Sequence, residues 1–259
     1  MSKIQRVFSD LKQEGKKGLI TYITGGFPSL ERTRDTILRM ADGGADIIEI
    51  GIPFSDPVAD GPVIQAASQQ ALENGTRISD LIEVVAQVRK ESQVPILFMT
   101  YYNPVLQFGL DRFCRQSADT GVDGLIIPDL PFEESSPLQN LADQYGLDLI
   151  PLVAPTTPAD RVGLICSQAR GFVYCISVTG VTGGQTEITT NLAGLSDKVR
   201  TASSLPVAIG FGVSDPKTAR KVAPYADAVV VGSALVRLMA EERFSEIEDL
   251  VREIKQGMR

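Results

Sequence analysis

Eight short apolar runs, spaced along the whole chain and separated by amphipathic stretches, constrain this sequence more than any other feature. They fall at 19–24, 47–50, 96–101, 125–127, 147–153, 172–177, 207–209 and 228–231. Each is continuous in Val, Ile and Leu rather than alternating, the pattern of parallel strands covered on both faces. Helical patterns lie between them, for example at 30–42, 63–74, 79–91, 133–145, 157–168, 192–202, 216–222 and 244–255. Alternating strand and helix predict an α/β fold with a parallel sheet. Eight such units in 259 residues match a (β/α)8 barrel. An open doubly wound sheet is the rival, but no G-x-G-x-x-G follows the first run, so a dinucleotide fold loses its main support.

Ile4, Val7, Phe8 and Leu11 repeat at i, i+3, i+4 and i+7. That predicts an extra N-terminal helix packed on its own domain and closing the bottom of the barrel, not a signal peptide. No linker, low-complexity tract or charge block divides the chain, so residues 1–259 are expected to form one barrel domain. Gly44-Ala45-Asp46, Gly121-Val122-Asp123 and Tyr225-Ala226-Asp227 each precede an apolar run, an echo of recurrent turn chemistry.

Charge and residue inventory narrow the chemistry. The chain carries 25 basic against 32 acidic residues, a net charge of -7 that argues against nucleic acid or an anionic membrane as partner. No segment approaches the ~20 apolar residues that cross a bilayer. Cys114, Cys166 and Cys175 are odd in number and lack C-x-x-C spacing, which suits free thiols in a reducing, cytoplasmic setting. The histidine count is zero, which removes a serine–histidine triad, histidine-ligated zinc and an imidazole base. No metal site is expected. Acid–base work falls to Asp, Glu, Lys, Tyr or Cys.

Glu49 interrupts the second run, and an unpaired buried carboxylate is costly. A buried salt bridge is the bland explanation, yet none of the eight runs contains Lys or Arg. An apolar surround should raise its pKa, which suits a general acid–base near neutral pH. The proline-punctuated loop beyond it ends with a second acid, Asp60. Asp60-Gly61-Pro62 alone would read as a helix cap; beside Glu49 a catalytic pair is the better reading. In such barrels active sites lie at the C-terminal strand ends, where Tyr22, Thr24, Glu49, Thr100, Tyr101, Asn103, Asp129, Tyr174 and Ser177 collect.

Glycine-rich turns follow the last three runs: 179–184, 210–214 and Gly232-Ser233. Glycine permits close backbone approach, and helix-start amides favour an anion. The last two turns are where this barrel class usually binds phosphate. They hold no Lys or Arg, so amides, Ser233 and helix dipoles would hold it. A Schiff-base aldolase needs a strand-end lysine, and none exists. Carbon–carbon bond chemistry here must run on acids and bases, with an electron sink in the substrate.

These residues resemble one known family, the α subunit of tryptophan synthase. The segment 49–62, Glu-Ile-Gly-Ile-Pro-Phe-Ser-Asp-Pro-Val-Ala-Asp-Gly-Pro, is close to that family's signature, and 22–28, 99–104, 124–131, 180–183 and 210–213 match in order. The resemblance implies cleavage of indole-3-glycerol phosphate to indole and glyceraldehyde 3-phosphate, with the indole ring as electron sink. It implies that Glu49 protonates indole C3 and assists deprotonation of the glycerol hydroxyl, that Asp60 stabilises charge at the indole N–H, and that Tyr174 positions Glu49 and substrate. Tyr22, Thr100, Ile126 and Asp129 would line the indole pocket, Tyr22 standing for a phenylalanine and Thr100 for a leucine of the best-known bacterial pattern. Gly183, Gly212, Gly232 and Ser233 would hold the phosphate, and Thr182 would close its loop towards Asp60. It further implies a β-subunit partner, usually in an α2β2 assembly, with pyridoxal phosphate in that partner and no cofactor in this chain. A stand-alone lyase, a non-catalytic activator of the β subunit and another phosphosugar barrel enzyme are the alternatives.

Overall fold

The computed structural model describes residues 1–176, 185–210 and 212–258. Nine strand segments form one parallel sheet: β1 (Gly18–Thr24), β2 (Ile47–Gly51), β3 (Ile96–Met99), β4 (Gly124–Ile126), β5 (Asp148–Leu149), β6 (Leu152–Val153), β7 (Val173–Ile176), β8 (Val207–Gly210) and β9 (Ala228–Val231). Their order is β5-β4-β3-β2-β1-β9-β8-β7-β6. The two ends of that order, β5 and β6, are consecutive in the chain, separated by Ile150 and Pro151 alone. The Ile150 N–H donates to the Leu125 carbonyl of β4 (2.8 Å), while the Pro151 carbonyl accepts from the Tyr174 N–H of β7 (2.9 Å). One interrupted stave thus joins both edges and closes a curled (β/α)8 barrel. Pro151 has no N–H to give the ladder, which is why the fifth run is split. The eight staves coincide with the eight apolar runs.

The three Gly/Tyr-x-Asp turns share a physical cause. Asp46 accepts the Leu19 N–H (2.6 Å), Asp123 the Ile96 N–H (2.9 Å) and Asp227 the Val207 N–H (2.9 Å). Each carboxylate satisfies an amide at the start of the neighbouring stave, a donor that would otherwise be orphaned at the sheet's end.

Two apolar layers result. Strand side chains facing outward pack against the surrounding helices. The lumen holds Ile20, Ile47, Leu97, Ile126, Ile150, Phe172, Ala208, Ala228 and Val230, together with Ile4 and Phe8 of helix α1 (Lys3–Gln13). Phe8 and Phe172 lie with ring centroids 5.5 Å apart. Ser2 and Gln5 form a capping box at the start of α1, and the Ser2 hydroxyl also donates to the buried Asp148. The N-terminal helix therefore closes the bottom of the barrel, as its periodicity predicts.

Around the sheet the chain continues as α2 (Leu30–Asp42), α3 (Pro62–Glu73), α4 (Ile78–Val88), α5 (Tyr102–Phe108), α6 (Leu110–Thr120), α7 (Ser136–Tyr145), α8 (Ala159–Ser167), α9 (Gln185–Ala202), α10 (Pro216–Val222), α11 (Ser233–Ala240) and α12 (Ser245–Gly257). The pattern expected at 133–145 begins as a separate 3-10 turn, Phe132–Glu134, because Pro137 favours a fresh helix start. Helix α9 starts earlier than the 192–202 pattern. Helices α5 and α6 meet at Gly109, whose φ of 94° only glycine adopts readily. No described helix is long and apolar enough to cross a membrane.

Candidate active site

Strand register places Glu49 beside Tyr22 of β1 and Leu97 of β3. Leu97 belongs to the lumen cluster, so Glu49 projects into the lumen with it. Glu49 is fully buried, and among the described residues neither carboxylate oxygen has a hydrogen-bond partner. Burial pushes its pKa up to about 8. The bland explanation, a buried ion pair, finds no support: none of the ion pairs among the described residues includes Glu49. Burial thus favours the protonated carboxyl near neutral pH.

Two tyrosines stand over it, each seated against a glycine of the next stave. Tyr22 is 7 % exposed, and its hydroxyl fills the space above Gly51. The Tyr174 hydroxyl lies against Gly210 in the same way. Both phenols are pushed above their ordinary range by burial first, and then by the nearby charges of Asp60 and Glu49. The two acids and two tyrosines thus face one chamber.

Asp60 enters from the loop between β2 and α3. It does not cap the helix: the N-cap of α3 is Gly61, with no side-chain cap, and Pro62 opens the first turn. The Asp60 carboxylate instead accepts a hydrogen bond from the Tyr101 hydroxyl at 3.1 Å. Burial raises its pKa, and the bond from Tyr101 opposes that rise.

Ile126 lines the lumen. Thr100 does not follow it there. Met99 pairs with Ile126 and packs on the lumen cluster, and the ladder runs on through Thr100, whose N–H donates to the Ile126 carbonyl at 3.0 Å. Alternation therefore turns Thr100 away and Tyr101 back towards the chamber. At the end of β3 it is thus Met99, one position before Thr100, that packs on the lumen cluster. Asp129 is exposed at the rim, and its carboxylate accepts the Tyr102 N–H (2.8 Å), capping the first turn of α5.

Gly232 precedes α11 and sits close to Tyr22: a Cβ there would lie 3.3 Å from the Tyr22 Cβ. The first amides of α11, including that of Ser233, have no partner within the helix and open beside the chamber. Gly212 is exposed with φ 59°, in the turn before α10. Thr182, Gly183 and Ser177 lie outside the described residues. No group of three or more metal-ligating side chains occurs among the described residues.

The comparisons with known proteins agree along the full length. A family profile described as tryptophan synthase alpha chain matches residues 8–258. The tryptophan synthase alpha chain of Caldanaerobacter subterraneus subsp. tengcongensis is 47% identical over 261 residues, covering 99% of each chain. That of Synechococcus elongatus is 44% identical, covering 100% of this chain and 97% of the other. Among solved structures, one from Aquifex aeolicus superposes with a TM-score of 0.92 at 42% identity, covering 100% of both chains. The tryptophan synthase alpha chain of Legionella pneumophila superposes with a TM-score of 0.91 at 35% identity, covering 100% of this chain and 97% of that one.

Proposed function

The chain belongs to the tryptophan synthase alpha chain family, a lyase family of tryptophan biosynthesis that cleaves indole-3-glycerol phosphate, and from that premise we propose that Glu49 and Asp60 carry the cleavage within a single barrel domain of residues 1–259. The observation that carries this reading is Glu49: a wholly buried carboxyl with no partner among the described residues and a pKa of about 8.

The neutral Glu49 donates its proton to indole C3, the carbon bearing the glycerol chain. The ring becomes a cation with its charge at nitrogen, and the ionised Asp60 stabilises that charge and the N–H. Glu49, now a carboxylate, takes the proton of the glycerol hydroxyl adjoining the ring. As that C–O becomes C=O, the carbon–carbon bond breaks and its electron pair returns to the ring. Indole and glyceraldehyde 3-phosphate result, and Glu49 ends protonated, so the protons balance without an external acid. A fixed carboxyl of matched pKa contributes typically ~10²–10⁴-fold to such a step.

Tyr174 holds Glu49 and the substrate in register. Tyr22, Met99 and Ile126 enclose the indole. The amides before and at the start of α11, at Gly232 and Ser233, with Gly212 and Gly183, bind the phosphate through hydrogen bonds and the helix dipole. Thr182 closes over Asp60. The partner is a β subunit in an α2β2 assembly, which receives the indole and carries the pyridoxal phosphate. The exposed Asp56 and Val58 of the 53–62 loop lie on the face that meets it.

Indole release from indole-3-glycerol phosphate, measured with and without an added β subunit, tests this. Slow turnover that rises strongly with the partner is expected. Fast turnover alone would mark a stand-alone lyase. No turnover in either case, with the β subunit still stimulated, would overturn the catalytic assignment.

A further inference from the structure

Asp60 sits on a loop whose neighbours Ser55, Asp56, Val58, Ala59 and Gly61 are exposed. An acid on such a segment has no intrinsic reason to hold one position, yet charge stabilisation depends on placement to within about an ångström. The placement comes from Tyr101, which is 5 % exposed and stands directly beyond the β3 ladder. The Tyr101 oxygen accepts the Ala59 N–H at 2.9 Å. With that lone pair engaged, its proton is directed to Asp60 Oδ2 at 3.1 Å. The ring is held in turn, its centroid 5.2 Å from that of Phe54, whose N–H donates to Ser68 Oγ of α3 at 3.0 Å. The Gln65 side-chain amide of α3 donates a hydrogen bond to the Asp60 backbone carbonyl at 2.9 Å.

We propose that Tyr101 is a positioning residue for the lyase reaction: through paired hydrogen bonds to Ala59 and Asp60 it locks the Asp60 carboxylate of the exposed loop onto the barrel, aimed at the indole nitrogen. This rests on the reading of Asp60 as the group that stabilises the indole cation. The phenol does not touch the reacting atoms. It acts through Asp60, and so its contribution must vanish when Asp60 can no longer act.

Among the described residues, the groups bearing on Asp60 are Tyr101 beyond β3, Tyr22 of β1 and Tyr174 of β7, with exposed Asp129 bearing on Tyr101 in turn. All are acids or phenols, and among the described residues the hydrogen bond from Tyr101 is what favours the ionised form of Asp60. Removing it raises the Asp60 pKa.

The experiment is a double-mutant cycle of Tyr101→Phe and Asp60→Asn in the full chain with the β subunit, reading kcat, KM and the pH dependence of kcat. Tyr101→Phe keeps the ring against Phe54, and a thermal melt confirms that it folds. It is expected to lower kcat about 10–100-fold, the scale of a hydrogen bond to a charged group, to change KM less than about threefold, and to move the acid limb of kcat to higher pH. In the Asp60→Asn background it is expected to cost less than about twofold, because interacting residues are not additive. Equal losses in both backgrounds, or an unmoved acid limb, would mean that the Tyr101 hydroxyl does not act through the Asp60 carboxylate and would overturn the proposal. Full activity of Tyr101→Phe beside an inactive Asp60→Asn would overturn it while leaving the assigned reaction intact. Full activity of Asp60→Asn would remove both.

Discussion

The hydroxyl of Tyr22 occupies the place where a side chain on Gly51 would begin. A Cβ built on Gly51 would lie 2.1 Å from the Tyr22 oxygen and 2.6 Å from its Cζ. The phenol cannot retreat freely, because Gly232 crowds its other end at 3.3 Å from the would-be Cβ. One glycine therefore lets the ring cross the adjacent stave, and the other brings α11 against it. This fixes the spacing between the indole wall and the helix start assigned to phosphate.

Gly51→Ala is expected to lower kcat/KM more than tenfold, since the ring must leave its place, and to destabilise the fold by about 1–3 kcal/mol, the usual overpacking cost. Adding Tyr22→Phe should restore little, because the ring carbon alone already clashes. Full recovery in that double variant would show that the hydroxyl, not the ring, is what Gly51 accommodates.

Glu49 should make the enzyme less stable than it could be. Its pKa is 4.5 when exposed and about 8 when folded, with burial as the cause. Below the lower value both states are protonated and the residue costs nothing. As pH rises from there the unfolded chain ionises and the folded one does not, so stability falls until the folded group also ionises near 8. At pH 7 the loss is about 3 kcal/mol, from ~1.4 kcal/mol per pKa unit. Glu49→Gln is expected to abolish lyase activity while melting several degrees higher at pH 7, with the gain gone near pH 4.5. Equal melting temperatures at both pH values would show that Glu49 has a charge partner after all.

Much of this was legible because it rests on local pattern. Unbroken Val/Ile/Leu runs announce doubly covered strands, and an acid within one announces itself. The aspartates at 46, 123 and 227 recur because each meets the same unsatisfied amide. What was not legible depends on pairing across the chain. The bond between Tyr101 and Asp60 joins residues 41 apart, with no periodicity to link them. The bond from the Tyr102 N–H of α5 to Asp129 likewise joins residues 27 apart.

The strand ending at Met99 shows how narrow that margin is. Only the hydrogen-bond register decides whether Met99 or Thr100 faces the lumen, and a one-residue shift reverses the faces. Met99→Ala should raise KM for indole-3-glycerol phosphate several-fold, because it removes part of the indole wall. Thr100→Val, buried on the opposite face with a hydroxyl that has no partner among the described residues, should leave KM within about twofold and be neutral or stabilising, as loss of an unsatisfied polar atom allows. Steady-state kinetics on the two variants would reverse the assignment if Thr100→Val were the one that raised KM.

The pH profile follows from the two acids taking opposite protonation states. Glu49 must carry its proton to start the reaction, so kcat/KM should fall as pH rises through about 8. Asp60 must be ionised to stabilise the indole cation, so activity should rise with pH on the acid side, at a value above the ordinary 3.8 because burial raises it. The substrate phosphate, with a second pKa of ~6, contributes to the same side of kcat/KM. The acid limb is therefore read from kcat, where substrate is bound throughout. A bell is expected, with its basic side governed by Glu49 and its acid side by Asp60. An activity that stayed level from pH 7 to 9.5 would mean that the proton reaching indole C3 does not come from Glu49.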